Sequence, residues 1–170
     1  MNTGELLAEI RAAFPLMAMP AQRDLRFHSD GCVQCKYLSE YLDERRGHNV
    51  DGPMIRYMHQ EMSCLSAKGW AWALPHYLPY CLTPEAEYNK METEFLIYNF
   101  GCADKYKDHM RTQLSCLTMR QLRCLILFVE YLSVHPRWSE YCPEDIARAL
   151  VFLRGLDDPM FATAARGTER

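Results

Sequence analysis

The chain has 170 residues, 49% apolar and 24% charged, with a formal net charge of −3. A chain of this size and balance buries roughly 70% of its unfolded surface and needs no disulfide or metal to fold. Few glycines and prolines exclude extended disorder, and the mildly acidic balance gives no electrostatic pull toward nucleic acid.

The pattern is helical almost throughout. Leu6, Leu7, Ile10, Ala13 and Phe14 recur at helical spacing until Pro15. Residues 15–31 read as a loop. A second helix is expected from about Cys32 to Arg46, with Val33, Tyr37, Leu38, Tyr41 and Leu42 as its apolar face and Gly47 as its stop. Asp51-Gly52-Pro53 starts a third, carrying Met54, Met58 and Met62 down one side. Pro75 and Pro79 predict two short helical pieces between Ser66 and Pro79.

Thr83-Pro84-Glu85 is the clearest start signal, and its helix is expected to reach Phe100 before Gly101. A short helix follows within 104–114. Thr118 and Gln121 fit a capping box, opening a helix apolar on most sides that should occupy the centre of the core and end at His135-Pro136. Pro143 opens the last helix, with Gly155 as its C-cap. The fold expected is all-α, one domain of six to eight helices over residues 1–155, with 156–170 a frayed tail.

Met1-Asn2-Thr3-Gly4-Glu5 has no basic segment, so no secretory signal is expected. The longest stretch without formal charge, Gly69–Pro84, is shorter than the ~20 residues of a membrane span. A cytoplasmic protein with no membrane partner is the expectation. Its eight cysteines are then reduced thiols, most of them small buried hydrophobes; Cys116 and Cys124 lie in apolar helical patterns.

Cys32-Val33-Gln34-Cys35 is the most specific local motif. At a helix N-terminus the dipole favours a thiolate, which suits redox chemistry. Two thiolates are equally half of a tetrahedral zinc site. His28 is a candidate third ligand, and a fourth has to come from elsewhere, such as His59 or Cys64. Inert packing is the simplest reading of a single CxxC, and no metal or other cofactor is the expectation taken forward. His59-Gln60-Glu61 has the H-x-E form of zinc deaminases, but the CxxC precedes it, which is the wrong order. No G-x-S-x-G, Walker loop, G-x-G-x-x-G or H-E-x-x-H occurs. An enzyme with a small-molecule substrate is therefore not expected.

Trp70, Trp72, Tyr77 and Tyr80 form an aromatic cluster best read as buried packing, although such residues also anchor interfaces. Glu85, Glu87, Glu92 and Glu94 face only Lys90 on the helix expected from Pro84. Usually that is a solvated face; it also complements a basic partner.

Three stretches carry a resemblance. They are Gly31-Cys32-Val33-Gln34-Cys35, the segment Leu74-Pro75-His76-Tyr77-Leu78-Pro79-Tyr80-Cys81-Leu82, and Leu117-Thr118-Met119-Arg120-Gln121 opening a helix that contains Phe128-Val129-Glu130-Tyr131-Leu132. Their order and spacing, across residues 5–153, resemble a family of small uncharacterised all-α bacterial proteins. Members of that family resemble immunity proteins encoded beside polymorphic toxins. The resemblance implies a binding protein that neutralises a cognate toxin by direct contact, with Glu85, Glu87, Glu92 and Glu94 as candidate contacts. The alternative is a zinc-binding or thiol-dependent protein centred on Cys32 and Cys35.

Overall fold

In the computed structural model, which describes residues 1–28 and 31–157, Asn2 and Glu5 close a capping box that opens helix α1 (Thr3–Ala13). The chain then runs through α2 (Gln22–Leu25), a single turn inside the expected loop, to α3 (Val33–Glu44). Gly47, at φ +85°, turns the chain away after α3. Asp51 caps α4 (Gly52–Glu61) by accepting from the Met54 N–H. A 3-10 turn, Met62–Cys64, leads to α5 (Ala67–Cys81). Then come α6 (Pro84–Asn89), α7 (Met91–Phe100), a 3-10 turn at Asp104–Tyr106, and α8 (Lys107–Leu114). The expected capping box of Thr118 and Gln121 is present and opens α9 (Met119–Val134); α10 (Pro136–Tyr141) and α11 (Pro143–Asp157) complete the fold. The architecture is all-α and one domain. Among the described residues, eleven helices exceed the six to eight expected because three of them span six residues or fewer.

Four expectations need correction. The first concerns the segment after Ser66: α5 is one continuous helix through Pro75 and Pro79. Each proline inside a helix costs about 3 kcal/mol in isolation. Here burial outweighs that cost, because Trp70, Ala73, Leu74, Tyr77 and Leu78 are all fully buried. Two side-chain bonds also anchor the helix, from Trp70 Nε1 to the Met62 carbonyl (3.0 Å) and from the Tyr77 hydroxyl to the Glu92 carbonyl (2.9 Å). The second concerns the centre of the core, which belongs to α5. Helix α9 buries seven of its sixteen residues, against α1, α10 and α11, where α5 buries ten of fifteen.

Third, the helix from Pro84 breaks at Lys90, whose φ is +66°. This conformation costs a non-glycine residue roughly 1–2 kcal/mol. Lys90 Nζ lies 4.0 Å from the Tyr141 ring centroid, and the Tyr141 hydroxyl donates to Glu94 Oε2 at 3.0 Å. Those contacts to α10 hold the break, and α7 is thereby free to turn Glu92 and Thr93 inward. Fourth, the buried face of α3 is Cys35, Leu38, Ser39 and Leu42, while Val33 and Tyr37 are exposed.

The methionines of α4 and the four aromatics of α5 are core residues. Cys124 is buried as expected, but Cys116 is exposed, because it sits on the turn between α8 and α9. Gly155 lies inside α11 and does not cap it. Of the expected tail, everything from 158 onward, including Asp158, lies outside the described residues, as does Asp30 of the expected loop.

At Gly101 a Cβ would stand 2.7 Å from the Asp145 carbonyl oxygen and 3.3 Å from the Ala149 nitrogen, so α7 and α11 can approach only over a bare backbone. At Gly155 a Cβ meets open space. Gly101→Ala should therefore destabilise the protein by about 1–3 kcal/mol. Gly155→Ala should stabilise it by about 0.5–1 kcal/mol, the helix-interior glycine penalty. Denaturant unfolding of the two variants checks the opposite signs.

Candidate metal centre

Two distant segments meet beside the N-terminus of α3. Arg26 and Leu65 form an isolated antiparallel bridge. The Phe27 N–H donates to the Cys64 carbonyl and the Ser66 N–H to the Leu25 carbonyl, both at 2.8 Å. Gln113 of α8 fastens the far side, its Nε2 donating to the carbonyls of Ser63 and Leu65 at 2.9 Å each. His28 follows this pairing on one strand of chain and Cys64 precedes Leu65 on the other. Gly31, at φ +76°, then turns the chain so that Cys32 becomes the N-cap of α3 and Cys35 falls in its first turn.

These constraints collect the motif with its predicted neighbours. His28, Cys32 and Cys35 each offer one ligand atom, and the three atoms lie within 4.8 Å of one another. His28 Nδ1 is 3.3 Å from Cys35 Sγ. Cys64 lies outside this 4.8 Å set, but near enough to Cys32 and Cys35 that the three thiols perturb one another's ionisation. Of the two residues expected as a fourth ligand, His59 is elsewhere. It is buried in α4 with its ring edge-on to Phe95 and its Nδ1 on the Arg56 carbonyl.

The electrostatics divide the thiols. The Cys35 backbone N–H, and then its thiol, stabilise the Cys32 thiolate and hold its pKa below the ordinary thiol value. Burial pushes Cys35 up, and it pushes Cys64 well above the usual range, with the thiolates of Cys35 and Cys32 adding to the effect. Elsewhere burial alone accounts for most of the rise at Cys81, up to about 12, and at Cys124 and Cys142, up to about 11. All eight cysteines are free thiols.

Two hollows flank the cluster. A surface hollow of about 180 Å³ is lined by Arg26, His28, Gly31, Cys32, Val33 and Lys36. A larger cavity of about 500 Å³ shares His28 with it, its wall also including Cys64, Phe95, Tyr98, His109 and Gln113. Arg26 was not legible as a neighbour of Cys32 in advance, because its approach depends on the pairing at Leu65; Lys36 follows Cys32 by one turn of α3.

The four glutamates read as partner contacts are not one face. Glu92 is fully buried, so it offers no carboxylate to a partner; its Oε1 accepts from Arg56 Nε at 3.0 Å and its Oε2 has no hydrogen-bond partner. Arg56 also reaches Glu85 at 2.8 Å and the Tyr80 hydroxyl at 3.0 Å. Glu87 lies 3.8 Å from Arg137, and Glu94 accepts from Tyr141. The break at Lys90 separates the first pair from the second. No helix among the described residues is long and apolar enough to cross a membrane.

With this geometry in view, the sequence comparison is decisive on one point, since a family model matches residues 2–141. The chain belongs to DUF6714, a family of unknown function. The match takes in every residue of the Cys/His cluster and ends within α10. No curated protein and no solved structure matches the chain. The small family expected from the sequence is thus established for DUF6714, and its members' function is not.

In metal-free protein, Cys32 should alkylate with iodoacetamide ahead of the six buried thiols. Because its pKa is lowered, its rate should level off at a lower pH than that of an ordinary thiol. Cys81, Cys124 and Cys142 should stay unmodified until the protein unfolds. Mass-spectrometric alkylation rates between about pH 6 and 10 check this, and a Cys32 plateau above the ordinary thiol range contradicts the hydrogen bonding described.

Proposed function

We propose that this protein binds zinc through His28, Cys32, Cys35 and Cys64, and that the metal is structural. The observation that carries the reading is the convergence of one imidazole and two thiols within 4.8 Å, with a third thiol against them. Three thiolates and one imidazole are a common closed zinc set. In a tetrahedral site, ligand atoms stand roughly 3.3–3.8 Å apart, because each lies about 2.0–2.3 Å from the ion. Thiolate-rich sets select zinc over calcium or magnesium, which prefer oxygen.

In this reading, zinc ties the segment after α2 and the 3-10 turn to the start of α3. It reinforces a junction otherwise held by a few backbone bonds. Cys35 and Cys64, both buried, then have a reason to lie side by side as thiolates. The earlier expectation of no cofactor gives way here to zinc as a resident ion.

Protein purified without chelator should contain about one equivalent of zinc. Cys35→Ser and Cys64→Ser should each lose most of it, while Cys116→Ser should keep it. Chelation should lower the thermal midpoint, since an ion bound only by the folded state stabilises it. Protein that purifies without metal, and whose midpoint is the same with added zinc and with chelator, removes this reading.

Neutralisation of a cognate toxin by direct contact is a second reading, with one observation in its favour. Helix α6 presents Tyr88, 80% exposed, beside the exposed carboxylates of Glu85 and Glu87. An exposed aromatic flanked by acids suits a basic partner. Glu85→Lys combined with Glu87→Lys should slow association with such a toxin about tenfold at low salt. An unchanged rate dismisses α6 as the contact.

A further inference from the structure

We propose that Cys32 is a site of reversible oxidation by hydroperoxides, with Cys35 as the thiol that completes the disulfide and thereby discharges the metal. The discharge rests on the zinc reading above; the oxidation of the dithiol does not.

Six of the eight cysteines are buried; Cys32 and Cys116 are the two that reach the surface. Cys32 opens on the 180 Å³ hollow, which is large enough for a small peroxide. Arg26 and Lys36 are also among the residues that line this hollow, with the Arg26 Nε donating to Ser39 Oγ at 2.7 Å. A thiol that reaches the surface is open to a small oxidant, and buried ones are inert. The second thiol is already in place, because Cys35 Sγ is within 4.8 Å of Cys32 Sγ. A disulfide of about 2.05 Å therefore needs side-chain rotation and no large movement of α3.

The chemistry balances. The Cys32 thiolate attacks one oxygen of the hydroperoxide; an S–O bond forms while the O–O bond breaks. The leaving oxygen takes a proton and departs as water, or as the alcohol from an organic hydroperoxide. The Cys35 sulfur then displaces hydroxyl from the sulfenic acid. An S–S bond forms, the S–O bond breaks, and the hydroxyl leaves as water, taking the Cys35 proton in metal-free protein or a proton from solvent where Cys35 is a zinc-bound thiolate. The two sulfurs together lose two electrons and the peroxide gains two.

Once Cys32 and Cys35 are joined, only His28 and Cys64 remain as ligands, and two ligands do not hold a structural zinc. Both of these residues belong to the wall of the 500 Å³ cavity. Oxidation at the surface hollow is thereby transmitted to the wall of this cavity.

The test uses hydrogen peroxide on the zinc-loaded full chain. Non-reducing peptide mapping follows the disulfide, and a chromogenic chelator follows released zinc. The expected result is a Cys32–Cys35 disulfide with zinc release in step, both reversed by dithiothreitol. Cys32 should oxidise about tenfold faster than Cys116, the other surface thiol of the same chain. In Cys35→Ser the reaction should stop at a Cys32 sulfenic acid that dimedone traps. The comparison with Cys116 needs no variant, so it decides the matter even where Cys35→Ser fails to fold. A disulfide forming in protein that binds no zinc upholds the oxidation and removes the metal reading. Zinc-loaded protein whose Cys32 and Cys35 stay reduced under excess peroxide, or whose Cys116 oxidises first, overturns the proposal.

Discussion

The junction between residues 25–28 and 62–66 is the constraint on which the candidate site depends. It is small: one isolated bridge, two backbone bonds, and an amide from α8 laid across the turn. Its placement gives it leverage. The turn leads directly into α5, whose Trp70 indole donates back to Met62. The most buried helix of the molecule is therefore registered against the same few carbonyls that place Cys64. Backbone groups held from both sides by buried partners have no water to exchange with, and so they hold position.

The buried polar contacts of the rest of the molecule follow the same logic at larger scale. Glu92 is taken out of water only because α7 begins anew after Lys90, and because Arg56 and the Tyr80 hydroxyl converge on it. A carboxylate in the core demands such partners. The strained φ at Lys90, the stacking of its ammonium on Tyr141 and the inward turn of Glu92 form one arrangement. A helix running straight from Pro84 to Phe100 would lack that turn. What looks like a patch of surface acid in the sequence is thus partly an internal scaffold.

The Cys/His cluster joins these two themes. Two thiols come from one helix start, a histidine from the loop before it, and a third thiol from a turn far along the chain. Ligands drawn from three places make a metal site also a crosslink. In the zinc reading, a crosslink whose outermost thiol lines a surface hollow is open to chemical control.

Much of the fold was legible in the residues. Local signals that act over three or four positions identified the starts at Asp51, Thr83 and Thr118, because capping is a contact between near neighbours. The CxxC and His28 were legible, with His59 and Cys64 left as alternatives for a fourth ligand, because few residue types bind soft metals and the list is short. Three features were decided only by tertiary structure. Burial kept α5 helical through two prolines, since packing energy summed over ten buried residues exceeds a local penalty. Contacts to α10 and α4 broke the helix at Lys90. And the choice of Cys64 over His59 depended on a pairing between segments that local pattern does not encode, because which distant thiol arrives at a helix start is a property of how the chain returns, not of the helix itself.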